Sequence, residues 1–179
     1  MKRSRSVALV MMGSGALALS ACEEPRVEAS IYESVEQCVD APGASRAECE
    51  EQYKIAADQH AAVAPKYTDL AACEADFGPE QCEIAPYRAE GGGSIFMPLM
   101  MGYMMGSMMG GRGGAFTQPL YRSADDAKNF RTADNKNVGA ATGKTTVNKS
   151  AAGRPATKAY TVSRGGFGTS ARSYGSAST

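Results

Sequence analysis

Five cysteines, ten methionines and a single histidine are the residues in this chain whose types and spacing could do chemistry. Cys22 follows Leu19-Ser20-Ala21, behind a basic start (Lys2, Arg3, Arg5) and an apolar run from Val7 to Leu19. A positive n-region, an apolar stretch too short to span a bilayer and small residues before a cut make a secretory signal peptide. With cysteine directly after Leu-Ser-Ala, the pattern is that of a bacterial lipobox. Residues 1–21 are then the lipoprotein signal peptide, and the Cys22 thiol carries the lipid that holds the mature N-terminus in the membrane. Glu23 stands where Asp would retain such a protein in the inner membrane, which favours the outer membrane and a chain facing the periplasm.

Cys38, Cys49, Cys73 and Cys82 remain, and an even count in an oxidising compartment favours two disulfides. Three pairings are open. Tyr32-Glu33-Ser34-Val35-Glu36-Gln37-Cys38 aligns with Tyr67-Thr68-Asp69-Leu70-Ala71-Ala72-Cys73, and each half then passes Pro and Gly to a second cysteine followed by Glu. This weak repeat argues for Cys38–Cys49 and Cys73–Cys82, while a crossed pairing tying the halves together stays open. The spacings contain no CxxC, so no metal site is expected.

His60 sits in a stretch from Ser45 to Ala64 that reads as the longest helix. Ser45 caps it, Glu48, Glu50 and Glu51 favour its positive end, and Pro65 stops it. Cys49, Tyr53, Ala56, His60 and Val63 share one face. A packed, hydrogen-bonded histidine suits that face better than a ligand or a base, because nothing in the sequence supplies a catalytic partner. Ser34 with Gln37 makes a capping-box pattern for a shorter helix.

Methionine dominates the tract from Ile95 to Gly110. Met97, Met100, Met101, Met104, Met105, Met108 and Met109 run beside Gly102, Gly106 and Gly110, which recur every four residues. On a helix those glycines form one smooth groove suited to helix association. Ile95 to Met109 would make about 22 Å of helix at ~1.5 Å per residue, against a hydrocarbon core of ~30 Å. Insertion into one leaflet, or self-association, is therefore the first reading. Thioether binding of a soft metal ion such as Cu(I), or of an apolar ligand, is the second. A flexible apolar linker is the third.

The elements that would carry these groups fall into three segments after the signal peptide. Residues 22–90 hold the cysteines and helix formers, with 16 acidic and 5 basic side chains. Residues 91–114 are the Gly/Met-rich apolar segment. Residues 115–179 are rich in Ala, Gly, Ser, Thr and Lys, and together with 91–114 they carry 11 basic against 3 acidic side chains. With few large apolar residues the last segment reads as a basic, largely disordered tail. The expected fold is thus a small, mainly α, disulfide-stapled N-terminal head, an apolar segment and a disordered C-terminal tail. The opposed charge of the two halves suggests separate partners or mutual attraction.

The order of lipobox, Tyr-to-Cys repeats, Ala64-Pro65-Lys66-Tyr67, Phe96-Met97-Pro98-Leu99-Met100, Gly102-Tyr103-Met104-Met105-Gly106, Gln118-Pro119-Leu120 and Arg164-Gly165-Gly166-Phe167-Gly168 resembles the YgiB family of uncharacterised proteobacterial lipoproteins. The resemblance covers nearly the whole mature chain and implies an envelope lipoprotein without assigned activity or site residues. No Ser/His/Asp, Cys/His or phosphate-loop constellation is present, so the chain is not read as an enzyme. No cofactor and no nucleic-acid partner is expected. What remains is a membrane-anchored protein with a structural or interaction role, or a small binding protein using its methionines.

Overall fold

Arg26-Val27-Glu28-Ala29-Ser30-Ile31 alternates polar and apolar side chains, the period of a strand with one buried face. In the computed structural model, which describes residues 24–89, 92–107, 115–155 and Phe167, this is β1 (Arg26–Tyr32). Three helices follow: α1 (Val35–Val39), α2 (Arg46–Val63) and α3 (Leu70–Phe77). Then come β2 (Cys82–Arg88), β3 (Ser94–Pro98), β4 (Gly102–Ser107), β5 (Ala115–Ser123), β6 (Asp126–Arg131), β7 (Asn137–Gly139) and β8 (Gly143–Asn148).

Six strands form one antiparallel sheet in the order β7-β6-β5-β4-β1-β8, and β2 pairs with β3 in a separate ribbon. The sheet curls until β7 approaches β8, nearly closing a barrel. Its concave face encloses Ala29, Ile31, Met104, Leu120, Phe130 and Val147. Helices α1 and α2 cover part of the outer face over Tyr32 and Tyr103, with the Cys38–Cys49 disulfide between them. A third core, under α3 and the β2–β3 ribbon, gathers Tyr67, Phe77, Met97, Tyr121 and Phe167.

Among the described residues strand outweighs helix, 40% against 25%, which overturns the mainly α head and the largely disordered tail. The helices themselves form where the caps place them. Ser34 Oγ accepts from Gln37 N at 3.2 Å, Ser45 Oγ from Glu48 N at 3.2 Å, and Asp69 Oδ1 from Ala71 N at 3.0 Å. They cover a sheet rather than one another. A strand needs only one apolar face, so a composition poor in large apolar residues still builds sheet in the tail. β8 offers little besides Val147 on its buried side, and its partner is β1, at the other end of the chain. β1, β4, β5 and β8, from all three compositional segments, lie in one sheet.

The Gly/Met helix is also overturned. A four-residue spacing keeps residues on one face of a strand as well as near one face of a helix, because four is a multiple of two. Gly102, Met104 and Gly106 thus share a face of β4. A Cβ on Gly102 would stand 2.7 Å from Tyr32 O, and one on Gly106 2.7 Å from Glu28 O. These glycines let β4 press against β1 rather than open a groove between helices.

Disulfides Cys38–Cys49 and Cys73–Cys82 close loops with sequence separations of 11 and 9. Each contributes roughly 2–3 kcal/mol on the chain-entropy estimate.

Candidate functional site

His60 is carried by α2, and Ala56 and Val63 on the same helical face bury it at the seam between helix and sheet. β5 brings Tyr121 to its Nδ1, with the hydroxyl 3.0 Å away. β2 brings Glu83, directly after the disulfide-bonded Cys82, to its Nε2 at 3.1 Å. A neutral imidazole with its proton on Nε2 satisfies all three groups. Nε2–H donates to the carboxylate, and the Tyr121 hydroxyl donates to Nδ1. Burial lowers the His60 pKa, opposed by the hydrogen bond and charge of Glu83, while Lys66 adds to the lowering. Burial also holds the Tyr121 phenol well above its ordinary value, so it stays a donor.

The cluster is closed in around Tyr121, while the Glu83 side chain reaches the surface at 43% exposure. Phe167 lies against Phe77 at 4.9 Å and Tyr121 at 6.4 Å between ring centroids. Beside it, Tyr67 donates to Asp76 Oδ2 at 2.9 Å, and Lys66 donates to Ala62 O at 2.9 Å. Chemically, this arrangement fixes α2 and the β2–β3 ribbon to β5 through polar contacts that fit only one register. Sequence reading found His60 but neither partner, since Tyr121 lies 61 residues away and no local spacing announces it.

The residues expected to act as a site are dispersed. Met97 joins the core under α3, and Met104 lies inside the curled sheet with Met101 against it. Met100 and Met105 pack against the core that holds Tyr32, Tyr103 and the Cys38–Cys49 disulfide. The thioethers that the structure describes therefore belong to three cores and do not converge. Among the described residues no group of three His, Cys, Asp or Glu side chains is placed to hold a metal ion, and no helix is long and apolar enough to cross a membrane. Cys22, Met108, Met109 and Gly110 lie outside the described residues.

Residues 26–178 match the family described as protein of unknown function (DUF1190). This chain belongs to the DUF1190 family. A UPF0441 protein of Erwinia tasmaniensis is 42% identical to it over 173 residues, covering 88% of this chain and 77% of the relative. A UPF0441 protein of Pectobacterium carotovorum subsp. carotovorum is 38% identical, covering 84% and 74%. One from Yersinia pestis is 37% identical, covering 88% and 77%. No solved structure matches the chain. The sequence resemblance thus holds at the level of a DUF1190/UPF0441 family of proteobacteria.

Proposed function

We propose that this DUF1190 protein is a lipid-anchored component of the bacterial cell envelope, facing the periplasm from the outer membrane, with an interaction role at the membrane surface. The observation that carries the reading is how soon after Cys22 the folded body begins. Glu24 accepts a hydrogen bond from Ser150 N at 2.6 Å, and Pro25 O accepts from Lys149 N at 2.8 Å. A lipid on Cys22 therefore holds this end of the sheet close to the headgroups. Arg26 and Lys149 are there, and Lys136 acts on Glu24 through its charge. Cations near an anionic surface contribute about 1 kcal/mol each, screened within ~10 Å at 0.1 M salt. The two disulfides suit an oxidising compartment. Binding is favoured over catalysis, because both His60 ring nitrogens are already engaged by Tyr121 and Glu83.

Cys22→Ala tests the anchor. The wild type is expected in the outer-membrane fraction of a density gradient, with an acylated N-terminal cysteine by mass spectrometry. The variant is expected as a soluble or uncleaved form. An unmodified Cys22 in mature protein, or wild type wholly with inner-membrane markers, contradicts the assignment.

A further inference from the structure

We propose that the Cys73–Cys82 disulfide is a redox-sensitive latch, which a dithiol reductant opens to release Glu83 from His60 and unfasten the start of β2 from α2. The two residues that secure this end of the strand are neighbours in sequence. Cys82 is bonded to Cys73 on α3, and Glu83 accepts from His60 Nε2 on α2 at 3.1 Å. Successive residues of a strand point to opposite faces, so the start of β2 is held from both sides at once. A change at the sulfur is therefore felt one residue away, at the imidazole. The inference is independent of lipidation at Cys22.

Two contrasts with the Cys38–Cys49 bond mark this disulfide as the labile one. Cys38 and Cys49 are both buried, at 2% and 0% exposure, and Cys73 is equally sealed, but Cys82 is only partly buried. An incoming thiolate thus has Cys82 to approach. The second contrast is in the backbone of the two loops. In the first loop the left-handed position falls to Gly43, at φ 83°, which has no Cβ to oppose it. In the second, Glu80 takes φ 61°, a conformation that a side chain disfavours and that its surroundings must impose. Glu80 N donates to Glu74 Oε1 at 3.0 Å, Gln81 N donates to Gly78 O at 3.3 Å, and the disulfide closes the loop around them. Opening the bond lets this turn relax, and the residues it carries directly after it are Cys82 and Glu83. Exposed or strained disulfides are the ones that exchange readily.

The exchange proceeds by two thiolate attacks. One thiolate of the dithiol attacks the Cys82 sulfur, and the Cys73 thiolate leaves and takes a proton. The second thiolate of the reductant then attacks the mixed disulfide, Cys82 leaves and is protonated, and the reductant departs as a disulfide. Two electrons and two protons have passed to the protein. His60 keeps the Tyr121 hydroxyl at Nδ1 but loses Glu83 at Nε2. Lys66 still acts on it by charge, and Tyr87, farther along β2, still donates to Ala61 O at 2.6 Å. Without the carboxylate, burial acts on His60 unopposed, and the imidazole binds a proton less readily.

The test is graded reduction of the purified full chain with dithiothreitol, read by thiol alkylation and peptide mass. Cys73–Cys82 is expected to open at least about tenfold faster than Cys38–Cys49. His60 is the only histidine in the chain, so its ring resonances report on this seam alone. Opening Cys73–Cys82 should lower its proton affinity at least about threefold, to the value of Glu83→Gln with both disulfides intact. Circular dichroism of the same samples separates the latch from unfolding, since the folded spectrum should persist. Equal rates of opening at the two bonds overturn the proposal, as does a His60 titration that ignores the opening of Cys73–Cys82. Loss of the folded spectrum when that bond alone opens also overturns it, because the disulfide is then a structural staple.

Discussion

His60 Nδ1 and the Tyr121 hydroxyl lie 3.0 Å apart with both residues buried, and the proton between them belongs to tyrosine as long as the imidazole is neutral. Charging His60 would turn Nδ1 into a donor and leave the tyrosine proton without its acceptor.

The pH dependence follows from that contact. The folded His60 pKa lies below its ordinary 6.5, chiefly through burial, with Glu83 opposing. Below that value the unfolded chain binds a proton that the folded chain refuses, so stability present at neutral pH is lost as pH falls. The denaturant midpoint is expected to drop between pH 7.5 and 5.5, with a shallower slope for His60→Gln. Tyr121→Phe, which strips Nδ1 of its donor, should cost about 1–3 kcal/mol at pH 7.5. A midpoint that rises on acidification across this window contradicts the neutral relay.

Glycine at two positions of β4 is a steric requirement. Gly102→Ala and Gly106→Ala place a Cβ 2.7 Å from backbone oxygens of β1, and at Gly106 also 2.8 Å from the Phe116 ring. Each is expected to cost about 1–3 kcal/mol in urea unfolding. Gly93→Ala meets nothing within 4 Å, and should stay within about 0.5 kcal/mol.

Tyr103 poses the reverse case. Its ring is held by Tyr32 and Tyr53 at centroid distances of 5.9 and 5.7 Å, yet its hydroxyl is buried without a partner. Burial, reinforced by Tyr32, Glu36 and Tyr53, pushes its pKa up to about 12. Tyr103→Phe keeps the ring packing and removes the orphaned group, so it should be neutral or stabilising by up to ~1 kcal/mol. A loss beyond 1 kcal/mol in thermal or chemical unfolding would show that the hydroxyl has a partner.

Phe167 is fully buried between Phe77 and Tyr121. Phe167→Ala should therefore cost about 3–5 kcal/mol, the range for deleting an aromatic core side chain. A change under 1 kcal/mol would mean that the third core closes without it.

Local signals were the legible ones. Ser34 and Ser45 announce their helices because a cap acts within a few residues of itself, and the Tyr-to-Cys repeat points to the two short-range disulfides. Cys49, Ala56, His60 and Val63 are buried on α2 as their spacing implies, while Tyr53 sits at the rim. The sheet was hidden because its pairings are remote. Nothing near Val147 indicates that Val27 will lie opposite it. Met104 and Met105 look alike in sequence, yet point to opposite faces of β4 and enter different cores. Glu83 and Tyr121 were invisible as partners of His60 for the same reason.

The position of β1 between β4 and β8 also governs when the chain can fold. β1 gains one neighbour once β4 exists, whereas the hydrogen bond from Ser150 to Glu24 spans 126 residues, so its β8 edge is secured only much later in the chain. Loop-closure entropy on that scale slows folding relative to a bundle of local helices. The two disulfide loops, by contrast, need only neighbouring residues to close. A polypeptide built this way leaves one edge of β1 unpaired until β8 is available, so the sheet is completed only once the chain as far as Asn148 has been made.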